Sequence, residues 1–501
     1  MKNKILTLVF AVLMAGLSGC GGGSNPVVPT VTTNTVAGSA VKGPYQVGAV
    51  VKVYELTNGV RGATPVVEGT ITDALGTYSV DIPSTATGPF EIVVLGSYID
   101  ETTGALSTTD QETSLVIADA ANVPAKLSVN PIASIQAAIV KEALVANNGA
   151  DVAATIQSSG TLALEAMGIP TVDVNGNAVD PVQLDLFDTT ADPAVVAAFL
   201  TASAIVADVV NNGNGTVADF ATNAATDVAA GNALGTAGGT TAAITTAATN
   251  VAAIDLVANV AAAVTAADPT VTATVATTAA AVTTATTTAA TLTTLKGFVL
   301  SGNSFSVGGV AASVDAYGVA AAITGVAKNA VSVAMTVKDL GTGTAPNASS
   351  ASTSFDFYVK DTATTRMIKG TINPVKLVAD GTGIVTFTVP AAATLAWSGV
   401  TAAGTSIAAA TATNLAANTI FNTDAAGVTT IDVNALLTLL QNKVNNADLN
   451  VLNIAGTFDY ALGFGVNLGW ANTTNDGIMN LFPTGNANVT GRAISGTITT
   501  Q

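Results

Sequence analysis

Gly48-Ala49-Val50-Val51-Lys52-Val53-Tyr54 is the stretch on which the fold of the N-terminal region turns. Side chains alternate across a strand, so Ala49, Val51 and Val53 share one face and Val50, Lys52 and Tyr54 the other. The β-branched residues fit a pleated surface better than a helix. Asn58-Gly59, a strong hairpin signal, follows directly. A second run, Val66 to Ile71, leads into Thr72-Asp73-Ala74-Leu75-Gly76-Thr77-Tyr78-Ser79-Val80. Residues 36–128 are therefore expected to be strands punctuated by tight turns.

Within that region, Val41-Lys42-Gly43-Pro44, the Gly48–Val53 run and the Asp73…Gly76-Thr77-Tyr78 turn resemble the carboxypeptidase-regulatory-like or transthyretin-like β-sandwich of many bacterial surface lipoproteins. The resemblance covers under a fifth of the chain. It implies an accessory or binding sandwich over 36–128 that carries no catalytic residue.

Upstream, Lys2 and Lys4 precede an apolar stretch from Ile5 to Met14, and small residues lead to Leu17-Ser18-Gly19-Cys20. That order is the layout of a secretory signal. The tetrad resembles the lipobox of bacterial lipoproteins. The resemblance implies a signal peptide over 1–19, cleavage before Cys20 and acylation of its thiol by palmitate or a similar chain. Residues 20–35, rich in Gly, Ser, Pro and Thr, then form a flexible tether. Gly21 stands where lipoproteins kept in the inner membrane of some bacteria resemble one another in carrying aspartate. The implied address is thus the outer membrane or cell surface.

The period changes at Asn130-Pro131. Ile132, Ile135, Ala138, Ile139 and Ala143 recur at spacings of three and four, the signature of a helix face. Further helical runs are expected over 153–167, interrupted at Gly160, and over 193–210 and 217–230. Asp192 before Pro193 reads as an N-cap followed by proline in the first turn. An Asn-Pro and an Ala-rich helix placed after such a sandwich also resemble the arrangement in those surface lipoproteins. From Glu142 to Leu295 thirteen Asp or Glu occur with no Lys or Arg. Ion pairs within this stretch are excluded, so helix-start carboxylates and small-residue packing must stabilise it. Val271, Val275, Thr278, Val282, Ala285, Ala289 and Leu292 follow a heptad rhythm, which fits a packed helical hairpin or a helix pair. Pro269 to Leu295 has no charge, but Thr fills it and Leu, Ile and Phe are nearly missing. A buried or self-associating helix is expected there, not a membrane span. Residues 130–295 form an Ala/Thr-rich helical region.

From 297 to 501 the alternation returns, in Val331/Val333/Met335/Val337, Phe355/Phe357/Val359 and Val385/Phe387/Val389. The longest run goes from Phe458 through Tyr460, Leu462, Phe464, Val466 and Leu468 to Trp470. A helix over 433–444, with Asp432 as N-cap and a Leu436/Leu437/Leu440 stripe, interrupts the strands. The expectation is a C-terminal β-rich, sandwich-like domain. Aromatic girdles are lacking and the sequence closes on Thr499-Thr500-Gln501, so an outer-membrane barrel is not expected. The fold class is multidomain α+β.

Composition excludes whole chemistries. With no histidine in 501 residues, Ser-His-Asp and Cys-His nucleophile systems and imidazole metal sites cannot be assembled. One cysteine permits no intrachain disulfide. The charge balance is 16 basic against 33 acidic residues, and removal of Lys2 and Lys4 leaves 14 against 33, or −19. No Lys/Arg stripe occurs, so nucleic-acid binding is excluded.

Candidate sites are few. Asp173-Val174-Asn175-Gly176-Asn177-Ala178-Val179-Asp180 places oxygens at alternate positions, as calcium loops do, although glycine comes fourth and Leu184 stands at the twelfth position. Calcium is the only cofactor suggested, and a polar turn before Asp180-Pro181 is the preferred reading of the pattern. Ser39-Ala40-Val41-Lys42 matches the Ser-x-x-Lys string of penicillin-recognising enzymes without their other elements. Trp470 reads as core, and Trp397, beside a turn, as the residue that could stack on a sugar. The expected function is that of a lipid-anchored, exported cell-envelope protein with a non-enzymatic structural, adhesive or binding role. Its expected partners are the membrane, through the N-terminal lipid, and an extracellular polysaccharide or protein. The alternative is a carbohydrate-binding or carbohydrate-degrading surface protein using the C-terminal domain.

Overall fold

The computed structural model describes residues 32–146, 152–230, 232–271, 273–289, 292–293, 298–300, 305–314, 320–328, 330–339, 348–380, 384–412, 420–444, 454–464 and 492–501. Helices and several β-sheets are both present, a mixed α and β fold.

The N-terminal strands are β1 (Thr33–Ala40), β2 (Val50–Thr57), β3 (Val60–Arg61), β4 (Val67–Thr70), β5 (Thr77–Pro83), β6 (Phe90–Gly96), β7 (Gln111–Ile117) and β8 (Leu127–Val129). They form two sheets, one in the order β5-β1-β8, the other β3-β2-β6-β7 with β4 also on β2. β1 is antiparallel to β5 and parallel to β8. Asn58 and Gly59 both have positive φ, 50° and 78°, as a two-residue hairpin between β2 and β3 requires. On β5 the pleat puts Tyr78, Val80 and Ile82 inside and Thr77, Ser79 and Asp81 outside. Val36, Val51, Val53, Tyr78, Val80, Phe90, Ile92, Val94 and Leu115, drawn from both sheets, share one buried cluster.

The second sheet is buried on its other face too, because α1 (Pro131–Ala146) lies against it. There Leu56 and Val116 meet Ala137, Val140 and Leu144. Asn130 starts that helix. Its Oδ1 accepts from the backbone N–H of Ile132 at 2.9 Å and Ala133 at 2.8 Å, and its Nδ2 donates to the Pro181 carbonyl at 2.8 Å. Asn130 is fully buried, so Asn130→Ala strands two helix N–H groups and a carbonyl away from water. The substitution is expected to lower stability by about 2 kcal/mol, at the upper end for a lost cap. Urea unfolding followed by far-UV circular dichroism checks this, and a change under about 0.5 kcal/mol would show that the cap is dispensable.

Six further helices follow: α2 (Val152–Ala166), α3 (Pro193–Asn211), α4 (Val217–Ala230), α5 (Thr241–Val251), α6 (Leu256–Ala267) and α7 (Ala279–Ala289). Asp192 caps α3 through the Ala194 N–H, with Pro193 in the first turn, as expected. Two expectations are corrected. α2 runs unbroken through Gly160. A Cβ there would come within 2.9 Å of the Gln136 amide nitrogen, so the glycine serves close approach of α1 and α2, not interruption. The heptad rhythm yields only α7, because the segment before it bonds elsewhere. Ala276 N–H donates to Leu186 O at 2.7 Å, and Thr277 Oγ1 to Pro193 O at 2.7 Å. Val275, Val282, Ala289 and Leu292 still enter the helical core. α3 is the one described helix long and apolar enough to cross a membrane, and 83% of its apolar window is buried inside the protein, as in a core helix.

The remaining strands are β9 (Phe298–Leu300), β10 (Ser306–Val307), β11 (Val310–Ala311), β12 (Ile323–Val326), β13 (Val333–Asp339), β14 (Ala348–Asp361), β15 (Met367–Asp380), β16 (Val385–Thr388), β17 (Thr394–Val400), β18 (Ser406–Ala412), β19 (Phe421–Thr423) and β20 (Val428–Ile431). They are followed by α8 (Val433–Val444), β21 (Gly456–Phe464) and β22 (Arg492–Thr500). One sheet has the order β11-β10-β13-β20-β19 with β9 on β13, the other β12-β22-β21-β14-β15-β17-β18 with β16 on β15. Both sheets and the Leu436, Leu437 and Leu440 stripe of α8 contribute to one buried cluster. Asp432 caps α8 by accepting from Ala435 N–H at 2.7 Å. Of the long run ending at Trp470, residues to Phe464 form β21, and Trp470 lies outside the described residues.

Candidate functional site

Among the described residues, a cluster of buried polar side chains lies where the N-terminal strands meet the helices. After β1 the chain turns back at Val41-Lys42-Gly43-Pro44, and Pro44 to Gln46 then runs beside Ser97 to Ile99. The turn needs Gly43. Its φ is +52°, and a Cβ there would lie 1.6 Å from the Ile99 carbonyl oxygen. Lys42 is thereby carried inside with no exposed surface. Its Nζ stands 4.1 Å from the centre of the Tyr98 ring and has no hydrogen-bond partner.

Asp100 and Glu101 come from the loop after β6, and the helices grip that loop. Ser203 of α3 donates to Glu101 Oε1 at 2.5 Å, and Asn211 of α3 donates to Asp100 Oδ2. From α6, the Asn259 side chain donates to the carbonyls of Glu101 at 3.2 Å and Thr102 at 3.0 Å. Glu101 is fully buried and its Oε2 has no partner. Burial pushes the Glu101 carboxyl above its ordinary range, against the opposing charge of Lys42 and the Ser203 hydrogen bond. Burial likewise pulls the Lys42 ammonium down, against the nearby carboxyls of Glu101 and Asp100. Both shifts favour the uncharged forms, as expected when charges are taken out of water without a direct bond. A cation over a ring contributes about 2 kcal/mol when desolvated, which offsets only part of the cost of burying the ammonium.

A second cluster joins the sheet to α1. Glu91, fully buried on β6, receives Arg61 Nε at 2.6 Å and Arg61 Nη2 at 2.9 Å, and Lys141 Nζ of α1 at 2.7 Å. Arg61 Nη2 also reaches Glu112 at 2.8 Å. Burial alone would raise the Glu91 carboxyl, but the Arg61 bonds and the Lys141 charge outweigh it, and the shift is downward.

The residues singled out from sequence fall elsewhere. Cys20, with the signal and most of the tether, lies outside the described residues. Trp397 is 4% exposed, in the core with Leu395 on the same face of β17, so it offers no ring face to a sugar. In the 173–180 loop the Asp173 oxygens are spent on the loop itself. They accept from Asn175 N–H and Asn177 N–H at 2.8 Å and from the Asn177 side chain at 2.9 Å. Asp180 accepts from Val182 N–H at 3.1 Å. That is turn geometry, and among the described residues no group of three or more Asp, Glu or Cys could hold a metal ion. Ser39 donates to Asp185 at 2.9 Å and makes no pair with Lys42. Sequence reasoning missed the Lys42–Glu101 cluster. The available signal was a lysine between Val41 and Gly43-Pro44 in a chain with so few cations.

The chain matches no protein-family model, and neither a curated protein nor a solved structure is similar to it.

Proposed function

We propose that this chain is a lipid-anchored, exported cell-envelope protein with a structural, adhesive or binding role, held at the outer membrane or cell surface through Cys20. The observation that carries the proposal is the Leu17-Ser18-Gly19-Cys20 tetrad behind a basic start and an apolar core. The first pair of sheets is read as a carboxypeptidase-regulatory-like sandwich and the last pair as a second sandwich, with the helices between them in sequence. The interlocked buried polar contacts at Asp100, Glu101 and Glu91 support a stiff base close to the tether. More than one acyl chain, as the lipobox resemblance implies, would hold such a protein firmly. A carbohydrate-acting role for the C-terminal domain loses its stacking residue to the core.

Cys20→Ala tests the anchor directly. The variant is expected to leave the membrane fraction for the soluble fraction, while the wild type stays with membranes and is shaved from intact cells by added protease. Retention of the variant in membranes would overturn the anchor. Protection of the wild type from protease would place it on the periplasmic side, as a scaffold and not an adhesin.

A further inference from the structure

We propose that Lys42 and Glu101 are joined in the mature protein by an amide between Nζ and Cδ, formed with loss of one water. The two groups are buried together, and neither Lys42 Nζ nor Glu101 Oε2 has a hydrogen-bond partner. The Glu101 side chain reaches the turn that carries Lys42, since a Cβ on Gly43, the next residue, would stand 3.5 Å from Glu101 Cδ. Left unlinked, the pair keeps an orphan donor and an orphan acceptor in a dry interior, which is costly. Linkage removes both ionisable groups and the orphan Oε2, and leaves a single neutral amide N–H in their place.

The step balances without an oxidant or a cofactor. Burial favours the neutral amine and the neutral acid, the forms that react. The amine now lies over the Tyr98 ring, so the step begins with rotation about the last bonds of the lysine side chain. The Nζ lone pair attacks Cδ and a C–N bond forms. Oε1, already held by the Ser203 hydroxyl, becomes the amide carbonyl oxygen. The Cδ–Oε2 bond breaks, and Oε2 departs as water with the acid proton and one amine proton. Confinement of both groups in one buried site raises their effective concentration far above that of a condensation in solution. The chain has a single cysteine, so this bond would be a covalent brace in an exported protein that no intrachain disulfide can supply. The linkage does not depend on how the chain is anchored.

The test is a tryptic digest of the denatured full-length protein, read by mass spectrometry. The expected product keeps Lys42 uncut and joins the peptide ending at Lys52 to the peptide 62–126, about 18 Da below the sum of the two. Cleavage after Lys42 with recovery of a free 62–126 peptide would overturn the proposal. Glu101→Ala is expected to abolish the linkage, and a persisting water loss would assign the bond to another carboxyl and overturn the role of Glu101. Ser203→Ala keeps both joined groups and is expected to give a mixture of linked and free chains. Should Glu101→Ala fail to fold, the wild-type digest decides alone.

Discussion

Arg61→Met is expected to destabilise the N-terminal region by about 3 kcal/mol, more than Glu91→Met at about 1–2 kcal/mol. The order follows from which charge is left behind. Glu91 has no exposed side-chain surface, whereas Arg61 and Lys141 keep 31% and 28% of theirs. Removal of the acid frees two cations that can turn toward solvent. Loss of the arginine leaves a buried carboxylate with Lys141 alone, an uncompensated charge in a low-dielectric site. Hydrogen exchange at the β6 amides, Phe90–Gly96, reads the local opening energy. Equal costs for the two variants, or a larger one for Glu91→Met, would refute the asymmetry. A pH dependence accompanies it. The folded-state value of Glu91 lies below the ordinary 4.5, so its contribution is complete above 4.5 and is lost as pH falls through the depressed value. In Arg61→Met the folded-state value rises, so the window between it and 4.5 narrows and the acid-side loss of stability should shrink.

Gly43→Ala is expected to cost more than about 3 kcal/mol. Two penalties add. A left-handed conformation costs an L-residue about 1–2 kcal/mol, and Gly43 has φ +52°. The new methyl would also sit 1.6 Å from Ile99 O, so the backbone must move. That movement pulls on the Ile99 N–H to Pro44 O bond of 3.0 Å and on the Lys42 burial. Gly48 supplies the control. Its φ is +90°, but nothing lies within 4 Å of its Cβ position, so Gly48→Ala bears the backbone cost only. Urea midpoints of the two variants, compared with wild type, separate steric closure from backbone strain. Similar midpoints would show that the Ile99 carbonyl yields freely.

Much of the element order is legible in the residues because periodicity is local. The two-residue rhythm of Thr77 to Ile82 and the three-and-four rhythm from Ile132 onward each follow from one face being buried. Gly160 misleads for a non-local reason. Its missing side chain answers to Gln136 on another helix, not to its own. Trp397 misleads by its nearness to a turn, although Leu395 and Trp397 share a strand face. Its cross-strand partner is Gly370, which has no side chain. The Lys42 cluster was invisible because Lys42, Glu101, Ser203 and Asn259 come from four distant segments, and only tertiary packing makes them neighbours.

The position of β1 has a mechanical consequence. Gly38, Ser39 and Ala40 pair in parallel with Leu127, Ser128 and Val129, and β8 leads straight on into α1 and the rest of the chain. A pull on the segment before Thr33 against everything after Val129 therefore loads these two strands along their length and in opposite directions. Their hydrogen bonds must then yield together under shear, where a strand peeled from its end would release them one at a time. Tension entering from the N-terminal side meets the fold at its most resistant geometry.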